Sequence, residues 1–155
     1  MNKSRQSQYL IFLAGDVHFA IDVFDVIEII LPSKIDNASL KGGSLTRIKY
    51  QGEELLLLYA NKLLFQSPAD YPSDYRILII EQGGQKRALA VTSAEEILHI
   101  SNDCLREVSR KSPGPNFELL QGAIEQDDQM VYIIDVSSLF NMAEITKRSG
   151  SANSD

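Results

Sequence analysis

A short pattern occurs twice in this chain. Ala20, Ile21, Val23, Glu28 and Ile29 recur at the same spacing as Ala88, Leu89, Val91, Glu96 and Ile97. Leu58-Tyr59-Ala60 ahead of Leu63-Leu64 is echoed by Ile134-Asp135-Val136 ahead of Leu139-Phe140. Such a repeat constrains the fold more than composition does, because each copy has to build the same unit. In a chain of 155 residues each copy is too small to bury a good core alone. Two small β units packed against each other is the natural arrangement.

The local signals agree. Short apolar runs alternate with turn residues, the pattern of an all-β domain. Tyr9–Leu13, Gly15-Asp16 and Val17–Val23 read as a hairpin, followed by a third strand, Glu28–Leu31, that Pro32 stops. A loop over Ser33–Gly43 precedes a second hairpin, Leu45–Tyr50 and Glu53–Leu58 around Gln51-Gly52. The glycine there suits the positive φ of a tight turn. Four consecutive leucines, Leu55–Leu58, predict a strand buried on both faces. Tyr59–Phe65 reads as a short helix. The second copy gives hairpins Arg76–Glu81 with Arg87–Ser93 and Leu119–Glu125 with Gln129–Ile134, the strand Glu95–Ile100 between them, and a helix over Val136–Asn141. Asp135 is placed to cap that helix. The polar ends, 1–8 and 142–155, are expected to fray, which leaves 9–141 as one domain.

Charge narrows the partners. A net charge of -6 and pI near 4.9 disfavour nucleic acid and anionic membrane, since both attract basic surfaces. The longest apolar run, Leu55–Ala60, is far too short for a membrane span of about 20 residues. Met1–Gln8 lacks the apolar core of a signal peptide, so a cytoplasmic protein is expected.

The chemical inventory is thin. His18 and His99 each lie alone in a strand, where a structural role is the usual one, and no HExxH, HxH or Cys-His spacing makes either a metal ligand. A His18–His99 pair assembled by the repeat stays open, as does a cleft joining one of them to a carboxylate. The lone Cys104 has only Arg106 nearby, which alternation would put on the same side; a half-buried apolar role is favoured. Glu53-Glu54, Glu95-Glu96 and Asp127-Asp128 are adjacent pairs whose side chains point apart on a strand, and Asp127-Asp128 reads as a turn. Gly42-Gly43 and Gly83-Gly84 lack the Lys-Ser/Thr of a phosphate loop. No enzyme, metal or cofactor is expected. Function then lies in surfaces: strand edges, hairpin tips and the groove between two halves.

The order of elements resembles the CheW-like domain, found in the bacterial chemotaxis coupling protein and in the regulatory region of its kinase, CheA. The likeness runs from about Tyr9 to Phe140. It is carried by YLIFLAGDVHFAIDV, Val26–Ile29, the Gly52 hairpin with its apolar run, RILIIEQ…ALAV, the Pro113-Gly114-Pro115 loop and LLQGAIEQDDQMVYIIDVSSLF. The resemblance implies two SH3-like five-stranded β-barrels with a shared hydrophobic interface, no catalysis, and an adaptor that joins chemoreceptor tips to the histidine kinase. There are departures from the family pattern. Gln51 stands where an arginine is expected, Thr46 where a glycine is, Tyr59 where an aspartate is, and Ser93 where the second half often has glycine. Gln51 removes a permanent cation with a five-donor fork. Candidate partner contacts are Glu28, Arg47, Lys49, Gln51 and Gly52, with Arg47 and Lys49 able to supply the charge that Gln51 does not. The competing assignment keeps the fold and makes the chain a scaffold or sensor module that binds a different protein, or a small ligand, in another pathway.

Overall fold

In a computed structural model of the chain, residues 6–34, 46–65, 74–107 and 116–141 are described. The loop around Pro113-Gly114-Pro115, the Gly42-Gly43 pair and the tail after residue 141 lie outside them. Ten strands form two sheets. The strands are β1 Gln6–Ala14, β2 Val17–Asp22, β3 Val26–Ile30, β4 Thr46–Tyr50, β5 Glu53–Tyr59, β6 Arg76–Gln82, β7 Gln85–Val91, β8 Ser93–Ser101, β9 Leu120–Gln126 and β10 Gln129–Ile134. A short helix, α1, covers Ala60–Phe65, and a second, α2, covers 136–141.

The repeat is real, but each sheet does not come from one copy. Sheet A runs β8-β1-β2-β10-β9 and sheet B runs β3-β6-β7-β5-β4. Each copy lends its first hairpin to the sheet that holds the remaining strands of the other. The crossings are short. The chain passes from β2 to β3 through a single 3-10 turn, Val23–Asp25, which Asp22 caps by accepting from the Phe24 amide at 2.9 Å. It passes from β7 to β8 at Thr92, whose amide donates to the Leu13 carbonyl and whose hydroxyl accepts from the Gly15 amide, both at 2.8 Å. The strand after each crossing pairs in the other sheet, so the chain changes sheets at these two points.

The two sheets are superimposable in register. The shift that carries Leu10 onto Leu78 also carries Ile21 onto Leu89 and Ile97 back onto Ile29, and both triplets are paired across their strands. The bulges correspond as well, between Ile11 and Phe12 in β1·β8 and between Val26 and Glu28 in β3·β6. Parallel pairs join the copies on the other side: Ile133 with Ala20 in sheet A, Leu57 with Ala88 in sheet B.

Each sheet curls around its own core, and the outer faces of the same strands share a third. Leu55, Leu57 and Tyr59 of β5 point into the sheet B core with Ile77 and Ile79, whereas Leu56, Leu58 and Ala60 point into the core shared with Leu10, Phe12 and Phe19. β1 divides likewise, Tyr9 and Ile11 inward, Leu10 and Phe12 outward. The unbroken leucines are therefore buried on both faces, as their run predicts. The shared core also takes Leu64 of α1 and Val136, Leu139 and Phe140 of α2, with the Arg87 guanidinium 5.2 Å above the Phe140 ring.

Several boundaries differ from the sequence pattern: β3 is Val26–Ile30 and not Glu28–Leu31, β7 ends at Val91, and β8 already starts at Ser93. β1 starts at Gln6, ahead of the apolar run. Tyr59 ends β5 instead of opening the helix, because it pairs with Ala90 and its ring is buried in the sheet B core. Asp135, at the matching place before α2, does cap, accepting from the Ser138 amide at 3.3 Å.

Leu57→Ala and Leu58→Ala are each expected to cost about 2–5 kcal/mol in denaturant unfolding, one from each core. A strand with one solvated face would show that loss at only one of the two positions.

Candidate functional site

Among the described residues, the seams of the two barrels are joined by different contacts. In sheet A the chain after β8 turns back, and Arg106 exchanges main-chain hydrogen bonds with Ala123 of β9 at 2.8 and 2.9 Å. In sheet B no such bridge joins β3 to β4 among the described residues. Side chains span the gap instead: the Tyr50 hydroxyl donates a short hydrogen bond to the Glu28 carboxylate. Beside this clasp lies an open groove of about 370 Å³ lined by Glu28, Ile29, Ile30, Leu31, Tyr50 and Gln51.

The local sequence explains each member. β3 is an edge strand whose bulge at Ile27 breaks the alternation, so Ile27, Glu28 and Ile29 are all exposed. Tyr50 alternates with Ile48 toward the sheet B core, and its ring is buried. A buried tyrosine needs a partner for its hydroxyl, which here emerges at the rim to meet Glu28. That hydrogen bond, then burial and the nearby carboxylate charge, push the Tyr50 phenol up to about 12. Gln51 and Gly52 form the turn between β4 and β5, both left-handed, with φ of 51° and 78°. Asp127 and Asp128 do the same between β9 and β10, with φ of 53° and 63°.

Of the residues singled out from sequence, Glu28 and Gln51 line the groove and Gly52 adjoins it. Arg47 and Lys49 lie on the exposed face of β4, outside the lining. The Arg47 guanidinium is 3.6 Å from the Glu54 carboxylate, and Lys49 is directly across from the same Glu54. Both ends of that ion pair are half-exposed or more, so it holds Arg47 weakly. The apolar wall, Ile29 to Leu31, and Tyr50 are the members that sequence patterns do not mark. Tyr50 could have been found from its place: a tyrosine at an inward position one residue before a tight turn.

The residues with reactive side chains are held elsewhere. His18 sits at one end of the β1 register, opposite Leu13, with Nε2 3.6 Å from Glu95. His99 sits near the other, opposite Gln8, whose amide nitrogen is 2.8 Å from His99 Nε2. The two do not form a pair, and neither lines the groove. Cys104 is exposed in a 3-10 turn, so strand alternation does not relate it to Arg106, which reaches Glu125 at 3.4 Å. Among the described residues no three His, Cys, Asp or Glu side chains converge as metal ligands, and no helix is long and apolar enough to cross a membrane.

Comparisons with known proteins agree with this architecture. A family model described as CheW-like domain matches residues 8–144, so the chain belongs to the CheW-like domain family. Among solved structures, the scaffolding protein TtCheW from Thermoanaerobacter tengcongensis is similar with a TM-score of 0.71 and 21% identity, over 84% of this chain and 90% of that one. At that identity the likeness speaks for the fold. No curated protein matches.

Two outcomes test the geometry of the clasp and its turn. Because the folded Tyr50 phenol titrates above its ordinary 10.0, the neutral form is favoured by folding. That contribution is present below pH about 10 and is lost as pH rises toward about 12. Tyr50→Phe should lessen the stability lost over that window and remove one late-titrating phenolate from the ultraviolet titration; among the described residues that leaves Tyr75, raised to about 12 chiefly by burial, and Tyr9, raised by burial and then by the Asp22 charge. Gln51→Asn should add about 0.5–1 kcal/mol in thermal or denaturant unfolding, since asparagine tolerates the left-handed region better than glutamine. An unchanged midpoint would mean that the turn carries no strain.

Proposed function

We propose that this CheW-like chain is a non-catalytic adaptor that couples chemoreceptors to a CheA-type histidine kinase, working in the cytoplasm. Membership of the family over residues 8–144 is the observation that carries it. The thin chemical inventory is in keeping with a binding role. Glu28, Gln51 and Gly52 at the seam, with Arg47 and Lys49 beside them on β4, form the surface offered to the kinase regulatory domain and the receptor's cytoplasmic tip.

The clasp bears on how that surface works. The family's arginine is absent at Gln51, so no guanidinium reaches Glu28 from this turn, and Tyr50 holds the carboxylate instead. A phenol gives one neutral donor where an arginine gives a charged fork. The partner of the Glu28 carboxylate at the groove is therefore a neutral phenol. This observation favours a second assignment as well: a scaffold of the same fold that serves a different partner or takes a small ligand, the groove being in the size range of ligand sites.

Pull-down and calorimetry against the organism's own kinase regulatory domains and receptor tips decide between them. The adaptor assignment expects binding at tens of micromolar or tighter, the range of transient signalling contacts. Gln51→Arg, which restores the cation next to Glu28, is expected to change kinase or receptor affinity by about tenfold. Absence of binding to any of these proteins sinks the adaptor assignment. Affinity that is identical with and without the arginine removes Gln51 from the contact.

A further inference from the structure

The exchange of hairpins within the chain turns on a three-residue joint. β1 and β2 lie in the middle of sheet A, between β8 and β10, and the 3-10 turn Val23–Asp25 ties them to β3 in sheet B. Both residues that flank the turn are already extended, Asp22 with φ -61° and ψ 126° and Val26 with φ -102° and ψ 119°. Three residues are thus all that separate β2 and β3 from one continuous strand, Val17 to Ile30. Their composition favours that strand. Valine and phenylalanine prefer extended backbone, and the turn holds neither glycine nor proline. Two local hydrogen bonds work against extension: the Asp22 carboxylate accepts from the Phe24 amide, and the Val26 amide donates to the Val23 carbonyl. At the centre of the turn Phe24 is 93% exposed, an aromatic side chain left in water.

We infer that a second copy of this chain is a partner for this fold, and that two copies exchange their β1–β2 hairpins by opening Val23–Asp25 into strand. Each hairpin then fills the place between β8 and β10 of the other copy. Every pairing of sheet A is kept, from Leu10 with Ile97 to Ala20 with Ile133, because the entering hairpin carries the same residues and the same bulge at Ile11 and Phe12. The balance between one chain and two therefore rests on three terms: the turn that is opened, the entropy of joining two chains, and what the joint newly touches. Short joints whose residues prefer another conformation invite such an exchange. A twofold axis brings the two opened joints together, and Phe24 of each is buried there against the joint of the other copy. The exchange already made between the two repeats of one chain is in this way made between chains. It stands apart from the adaptor role, and either can fail without the other.

The test uses the full chain refolded from urea at about 1 mM, where hairpins can pair within or between chains, and then size exclusion with light scattering. A dimer is expected that outlasts dilution, because its return to monomer requires both hairpins to leave their sheets. A disulfide then locates the hairpins. Gln8 and His99 are partners across β1·β8, with side-chain nitrogens 2.8 Å apart. In Gln8→Cys with His99→Cys and Cys104→Ser, the bridge closes within the chain of a monomer and between the chains of an exchanged dimer. The dimer, isolated reduced and then oxidised, should stay covalent on a denaturing gel without reductant. A dimer that separates into internally bridged monomers overturns the inference. Two substitutions in the otherwise unaltered chain read the joint. Asp22→Ala, which uncaps the turn, is expected to raise the dimerisation constant by about tenfold. Phe24→Ser, which removes the buried ring, should lower it by about tenfold or more. Absence of dimer at about 1 mM in both the unsubstituted chain and Asp22→Ala overturns the exchange, and so does a dimer whose amount neither substitution changes.

Discussion

The exchange of hairpins between the two copies is the constraint on which the rest depends. β1 and β2 belong by sequence with β3, yet they pair with β8 and β10; β6 and β7 pair with β3 and β5. Two short crossings, at Val23–Asp25 and at Thr92, carry the chain from one sheet to the other. The consequence is that each barrel contains both copies. Strands such as β1, β5 and β6 must then be apolar on both faces, one for their own barrel and one for the core between barrels. Burial on both faces roughly doubles the apolar area each strand removes from water, and hydrophobic stabilisation scales with that area. Halves too small to fold alone are in this way made into one domain.

Two copies on the same plan leave room for one to change. The sheet A barrel is joined at its seam by a main-chain bridge at Arg106, which any residue but proline could make. Among the described residues the sheet B barrel is joined at this seam by a side-chain clasp, and a clasp depends on which residues are present. Tyr50 and Glu28 hold it here, beside a groove with one apolar wall. A seam held by side chains can alter its charge and its partner while the ladders behind it stay in place. That is a physical reason for a chain to keep this architecture while residues at the seam, such as Gln51, vary.

Much of the architecture is legible in the letters. The repeat, the hairpin turns, the doubly buried leucines and the cap at Asp135 depend on local periodicity and turn chemistry, and these operate over a few residues. What could not be read is non-local. A hairpin looks the same whether it pairs with its own copy or the other, so the exchange leaves no mark in the pattern. Tyr59 reads as a helix residue because the pairing that extends β5, with Ala90, comes from far along the chain. The site is partly legible. Glu28, Gln51 and Gly52 follow from the family pattern, but Tyr50 is a core residue that serves the surface by its hydroxyl alone. Arg47 and Lys49, which read as an exposed strand face, lie on the exposed face of β4 outside the groove.

If hairpin exchange binds both barrels into one cooperative unit, neither can open without the other. Native-state hydrogen exchange on the full chain carrying Ile79→Ala, a change inside the sheet B core, measures this directly. The exchange free energies of β2 and β10 amides in sheet A should fall by as much as those of β5 and β7 in sheet B, by about 2–4 kcal/mol. If the sheet A amides keep their original exchange free energies, the barrels open independently and the account is wrong.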